Sequence, residues 1–221
     1  MSVFQAPEMR TDERDVLERI DGLRDQLQHD LAEPKRWYGT LRRMSFARAV
    51  QGSNSIEGYN ASLDDVVAAV DDEPTLDSDE ETRQALAGYR DAMTYVLQVS
   101  GDETLSLDEG LLKSLHFMML KYDLAKNPGR WRPGTIFVRR DETGEVVYEG
   151  PPANAGAELI AQMLAELSSS DGPVMVSAAI AHLNLVMVHP FSDGNGRMAR
   201  CLQTLILARD RVVAPVFSSI V

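Results

Sequence analysis

Only one stretch of this chain, residues 135–150, carries the two-residue alternation and turn chemistry of strands; elsewhere apolar residues recur every three or four positions. A lone two-stranded hairpin is at best marginally stable in water. The fold class that follows is all-α, with one β-hairpin packed on the helices. The spacing predicts helices over 11–30, with Val16, Ile20, Leu23 and Leu27 on one stripe, and from 36 to about 50, restarted by Pro34. Ser62 and Asp65 form a capping box opening 63–70, and Ser106 with Glu109 forms a second, opening a helix to about 122. Further helices are expected over 80–99, about 155–167, 173 to about 188, and 195 to about 210. TIFVRR and EVVYEG are the strands around the turn DETG, and the acidic run 71–81 is a solvated linker.

The net charge of −12 opposes general affinity for nucleic acid or an anionic membrane. A single cysteine, Cys201, allows no internal disulfide, which suits a reducing compartment. The first thirty residues are charged throughout and hold no apolar signal region. The most apolar segment, 174–188, is interrupted by Ser177, His182 and Asn184, which fits a core helix better than a membrane span. A cytoplasmic, membrane-free protein is therefore expected, and a homo-oligomer is compatible with the sequence.

Within this acidic chain, HPFSDGNGRMAR (189–200) sets Arg197 and Arg200 at the start of a helix. Cations there face the positive end of the macrodipole and are disfavoured by up to about 1 kcal/mol each. Gly194 and Gly196 permit a backbone nest of inward N–H groups, continued by the free N–H groups of the helix start. Such a cradle suits phosphate, and two arginines on its rim suit a polyphosphate. Asp193 beside it is the expected Mg²⁺ ligand. His189 can remove a proton from an incoming hydroxyl near pH 7. These are the parts of a phosphoryl-type transfer.

The same dozen residues resemble the signature of the Fic family, His-x-Phe-x-(Asp/Glu)-Gly-Asn-Gly-Arg-x-x-Arg, at every defined position. AAIAHLNLVMVHPF, with His182 seven residues before His189, is similar to the family's preceding helix, and GRWRPGTIFV with VVYEGPP to its Gly-x-x-Arg and flap-hairpin region. The resemblance implies a Fic-type helical core over 106–221, following a helical region over 1–105, with the flap at about 135–149. It implies transfer of AMP from ATP to a protein hydroxyl, with pyrophosphate leaving. His189 would be the base and Asp193 the Mg²⁺ ligand. Gly194, Asn195 and Gly196 would form the cradle, and Arg197 and Arg200 would neutralise the phosphates. Members of the family commonly continue beyond the point where this sequence ends in VVAPVFSSIV.

A second segment, SNSIEG (53–58), reads as a helix end with Gly58 as the residue that leaves it and Glu57 in the last turn. A carboxylate there opposes the dipole as the two arginines do, and the simplest reconciliation is that they meet. The segment resembles the family's inhibitory motif, (Ser/Thr)-x-x-x-Glu-(Gly/Asn), through Ser53, Glu57 and Gly58. That implies Glu57 pairing with Arg200 and blocking the γ-phosphate. The hairpin, through Ile136, Val138, Val147 and Tyr148, is expected to dock a target protein by strand addition. Two other readings stay open from sequence: removal of AMP from a modified protein with Glu57 as a catalytic group, and a nucleotide-sensing module without turnover.

Overall fold

The computed structural model describes residues 2–30, 38–73, 78–140 and 143–210. Pro34, the expected helix start at 36, part of the acidic linker, Asp141 and Glu142 of the turn, and VVAPVFSSIV lie outside the described residues. The elements in order are α1 (Thr11–Asp30), α2 (Tyr38–Ile56), α3 (Leu63–Val70), α4 (Glu80–Val99), α5 (Glu109–Leu120), β1 (Phe137–Arg139), β2 (Val146–Glu149), α6 (Ala153–Ser169), α7 (Val174–Val188) and α8 (Asn195–Arg209). The all-α class with a single antiparallel hairpin among the described residues is as the periodicity dictates.

Helix α8 is the axis of the fold. Met198, Ala199, Cys201, Leu202, Leu205 and Ile206 are buried around most of its circumference, which makes it a core helix rather than a surface one. It packs along α7 and touches α2, α4 and α5, and α6 closes the far side of α7. On α4, Leu86, Tyr89, Met93 and Val96 bury one face at helical spacing. Gly88 lets α5 approach, since a Cβ there would overlap the Met119 carbonyl. Each fully buried Leu or Met in this cluster contributes about 1.5–3 kcal/mol.

Three expectations need correction. Ser106 does not cap α5; Asp108 does, its Oδ1 accepting the Leu111 N–H at 2.8 Å. Aspartate is at least as good a cap as serine, and the shorter entry leaves Leu107 free to pack on the core. Helix α2 runs on to Ile56 rather than ending near Val50, although Gly52, Ser53 and Asn54 are poor helix formers, because Ser53 and Asn54 are buried. On α1, Val16 and Leu23 are exposed, and Leu17 and Ile20 are only half-buried, so the expected stripe is not a buried face. The capping box of Ser62 and Asp65 is present, with Ser62 Oγ accepting the Asp65 N–H at 3.1 Å. Asn184, an oddity in an apolar helix, is buried with its amide paired both ways to the Phe4 backbone, at 2.7 and 3.0 Å.

Candidate active site

The site forms where α7 hands over to α8. His189 caps α7 in the left-handed region, φ 51, and its N–H bonds to Leu185 O at 2.9 Å. A non-glycine residue held there stores strain that surrounding contacts must impose. Those contacts come from Arg132, buried, whose Nε donates to the His189 carbonyl at 2.7 Å and whose N–H bonds to Pro190 O. Its remaining nitrogens donate to Gly134 O and, at 2.5 Å, to Pro151 O. One guanidinium thus ties both ends of the hairpin to the motif. The imidazole Nδ1 lies 3.2 Å from Val186 O, which fixes the proton on Nδ1 and leaves Nε2 as the basic nitrogen, with no partner among the described residues. Burial, and secondarily the charge of Arg132, hold the His189 pKa below its ordinary value of 6.5 despite the Val186 carbonyl.

Phe191 is fully buried, stacked on His116 with ring centroids 3.8 Å apart and against Trp131 at 4.8 Å. His116 accepts the Gly129 N–H on Nδ1 at 2.8 Å and so donates from Nε2 to Asp193 O at 3.0 Å. The Asn195 side chain closes the loop on itself, exchanging two 2.9 Å bonds with the Phe191 backbone. Its amide is therefore committed to shaping the loop, and only its backbone N–H is left for the cradle. Gly194, at φ 73, turns the chain into α8, whose N-terminus carries no side-chain cap.

Asp193 Oδ1 accepts the Gly194 N–H at 2.7 Å, and Oδ2 pairs with Lys126 at 3.2 Å. Burial raises its pKa, but the Gly194 N–H, Arg197 and Lys126 outweigh this and leave it below the usual carboxylate value. Arg197 is completely buried. Its Nη1 reaches Asn54 Oδ1 only at 3.5 Å, its Nη2 is 3.9 Å from Asp193, and its Nε and Nη2 have no hydrogen-bond partner. The Tyr59 ring lies over the guanidinium at 5.0 Å. Orphaned donors on a buried cation are costly unless an acceptor arrives.

SNSIEG sits on this cradle. Gly58, φ 89, ends the segment, and the Glu57 and Tyr59 N–H groups both return to Asn54 O at 3.0 Å. Arg200 donates to Ser53 Oγ at 2.7 Å, Ser53 O at 2.9 Å and Glu57 Oε1 at 2.6 Å. A Cβ on Gly196 would collide with Glu57 Oε1, so the carboxylate lies directly over the N-terminal turn of α8. The acid and the outer arginine meet as their misplaced charges suggested.

Residues 106–207 match the family model described as the Fic/DOC family. The chain carries a Fic/DOC domain. It is 28% identical over 211 residues to "Protein adenylyltransferase Fic" of Nematostella vectensis, covering 92% of this chain and 47% of that protein. It is 31% identical over 210 residues to "Protein adenylyltransferase fic-1" of Caenorhabditis elegans, covering 89% and 38%. A crystal structure of a Fic family protein from Desulfovibrio desulfuricans superposes with a TM-score of 0.75 at 29% identity, over 92% of this chain and 60% of that one. The chain spans less than half the length of these two curated relatives. Within the Fic/DOC domain lie every motif residue named from sequence and the hairpin, whereas Ser53, Glu57 and Gly58 reach the site from outside the matched segment.

On the hairpin Val138 pairs with Tyr148, and Phe137 with Glu149. Val138 and Val147 are exposed, as are Phe137 and Val146; Ile136 precedes β1, half-buried, and its carbonyl accepts the Gly150 N–H at 3.0 Å. The Tyr148 hydroxyl is not free for a partner, because it donates to Met187 O at 2.5 Å and anchors the hairpin on α7. His182 bonds Gln203 at 2.7 Å across the α7–α8 seam. Sequence reasoning missed Arg132 as the organiser of His189, together with His116, Tyr59 and Lys126. Only Arg132 left a signal, in GRWRPG.

Proposed function

We propose that this chain is a protein adenylyltransferase held off by its own Glu57. The observation that carries the reading is the state of the two motif arginines. The inner one, Arg197, is buried with donors unpartnered, and the outer one, Arg200, is taken by a carboxylate lying over the helix N-terminus. A site of this kind is built for a polyanion and occupied by a stand-in. Among the described residues no cluster of three metal-ligating side chains exists. Asp193 alone fits Mg²⁺, which takes one or two carboxylates with phosphate oxygens and water and supplies charge neutralisation to the triphosphate. In the reaction His189 Nε2 takes the proton of a target hydroxyl, the hydroxyl oxygen bonds to the α-phosphorus, and the bond to pyrophosphate breaks. The exposed apolar edge of the hairpin is the docking surface for an extended target segment.

The test is radiolabelled ATP with Mg²⁺. Glu57→Gly is expected to label itself at least about tenfold faster than wild type, and Glu57→Gly with His189→Ala to lose labelling. Equal labelling of wild type and Glu57→Gly would refute the restraint. If a pre-modified protein instead lost AMP only when Glu57 is intact, Glu57 would be catalytic in removal.

A further inference from the structure

Lys126 belongs to none of the motifs, and it ends a 3₁₀ turn, Leu124–Lys126. Its ammonium is surrounded by oxygens from four parts of the chain. It lies 3.2 Å from Asp193 Oδ2, 3.0 Å from the Tyr59 hydroxyl, 3.3 Å from Glu81 Oε1 on α4, and 3.8 Å from Asp123. The side chain is 22% exposed, so these contacts are not those of a free surface lysine. We propose that Lys126 stands on Asp193 where a divalent cation has to bind, and that through Tyr59 it ties that position to the docked SNSIEG turn.

The proposal rests on the reading of Asp193 as the metal carboxylate. Asp193 Oδ1 accepts the Gly194 backbone N–H, and Oδ2, the oxygen not bound to the backbone, is the one Lys126 holds. A monovalent and a divalent cation on one carboxylate oxygen repel at contact distance, where partial burial weakens solvent screening. Lys126 must therefore leave Oδ2 before a metal binds, and the same movement breaks its 3.0 Å bond to the Tyr59 hydroxyl. Tyr59 follows Glu57 and Gly58 in the same turn and also covers Arg197. Withdrawal of Lys126 thus loosens the segment that carries Glu57. By reciprocity, a docked turn weakens metal binding by the same factor that metal binding weakens docking.

Mn²⁺ alone, without nucleotide, is the probe, with binding read by water-proton relaxation and turn mobility by hydrogen exchange of residues 53–59. Lys126→Met is expected to bind Mn²⁺ about fivefold or more tightly than wild type, within the usual range for coupled sites. Tyr59→Phe, which keeps the ring on Arg197 but removes the hydroxyl, should give a smaller gain in the same direction. Mn²⁺ should speed exchange across 53–59 in wild type and have no such effect in Lys126→Met. Equal Mn²⁺ affinity in wild type and Lys126→Met, with Asp193→Ala abolishing it in both, would overturn the proposal and leave the metal reading standing. Mn²⁺ binding that survives Asp193→Ala would overturn the metal reading itself. Exchange across 53–59 indifferent to Mn²⁺ in wild type would overturn the tie to the turn.

Discussion

His189 shows how a backbone position sets a side chain's chemistry. Its left-handed φ brings Nδ1 to Val186 O, which fixes the tautomer, and burial favours the neutral ring. A base is active when unprotonated, so the rate should fall as pH drops through the pKa of the folded protein. That value lies below 6.5, because burial disfavours the imidazolium. Glu57 is one of the charges that hold it up, so removing Glu57 moves it further down. The labelling rate of Glu57→Gly should therefore fall along an acid limb whose midpoint lies below pH 6.5. An acid limb centred above pH 6.5 would contradict this assignment of the base.

At the scale of elements, the hairpin is held by polar anchors more than by apolar burial, since both strands leave valines in solvent. Arg132 spans carbonyls on either side of β1 and β2 and the carbonyl of His189. Arg132→Lys keeps the charge but offers one ammonium where three separated acceptors need a planar fork. It should lower stability in urea unfolding by about 1–3 kcal/mol, the range for leaving buried acceptors unpaired. A loss under about 0.5 kcal/mol would show that the hairpin is held some other way. The helices were readable because their apolar period is local: α4, α7 and α8 follow the spacing closely. Where reading failed, the cause was not local. The end of α2 is set by its burial against Arg200, and the Asp108 cap competed with an equally plausible Ser106. The motif was legible because its members are contiguous. Lys126, Tyr59 and His116 were not, since packing alone gathers them from three separate segments.

For the whole molecule the docked turn is a structural element and, on the proposed reading, a competitor of substrate. Without nucleotide, Glu57 satisfies Arg200, whose side chain is only 11% exposed, so deleting it leaves a mostly buried charge with fewer acceptors. Glu57→Gly should therefore be less stable than wild type in the absence of ligand, by about 1–3 kcal/mol. Mg²⁺ with a non-hydrolysable ATP analogue should reverse the order of gains. If the turn contests the phosphate site, the ligand in wild type must first displace it, and its apparent affinity is lowered by the fraction of open molecules. In Glu57→Gly that tax is absent, and a ligand at a hundred times its dissociation constant adds about 2.7 kcal/mol. Thermal unfolding with and without the analogue is the measurement: the variant should melt lower when empty and shift upward further when loaded. A variant that melts lower yet gains no more than wild type would mean that Glu57 supports the fold without contesting the phosphate site. A variant as stable as wild type when empty would mean that the bond to Arg200 is held by Ser53 alone.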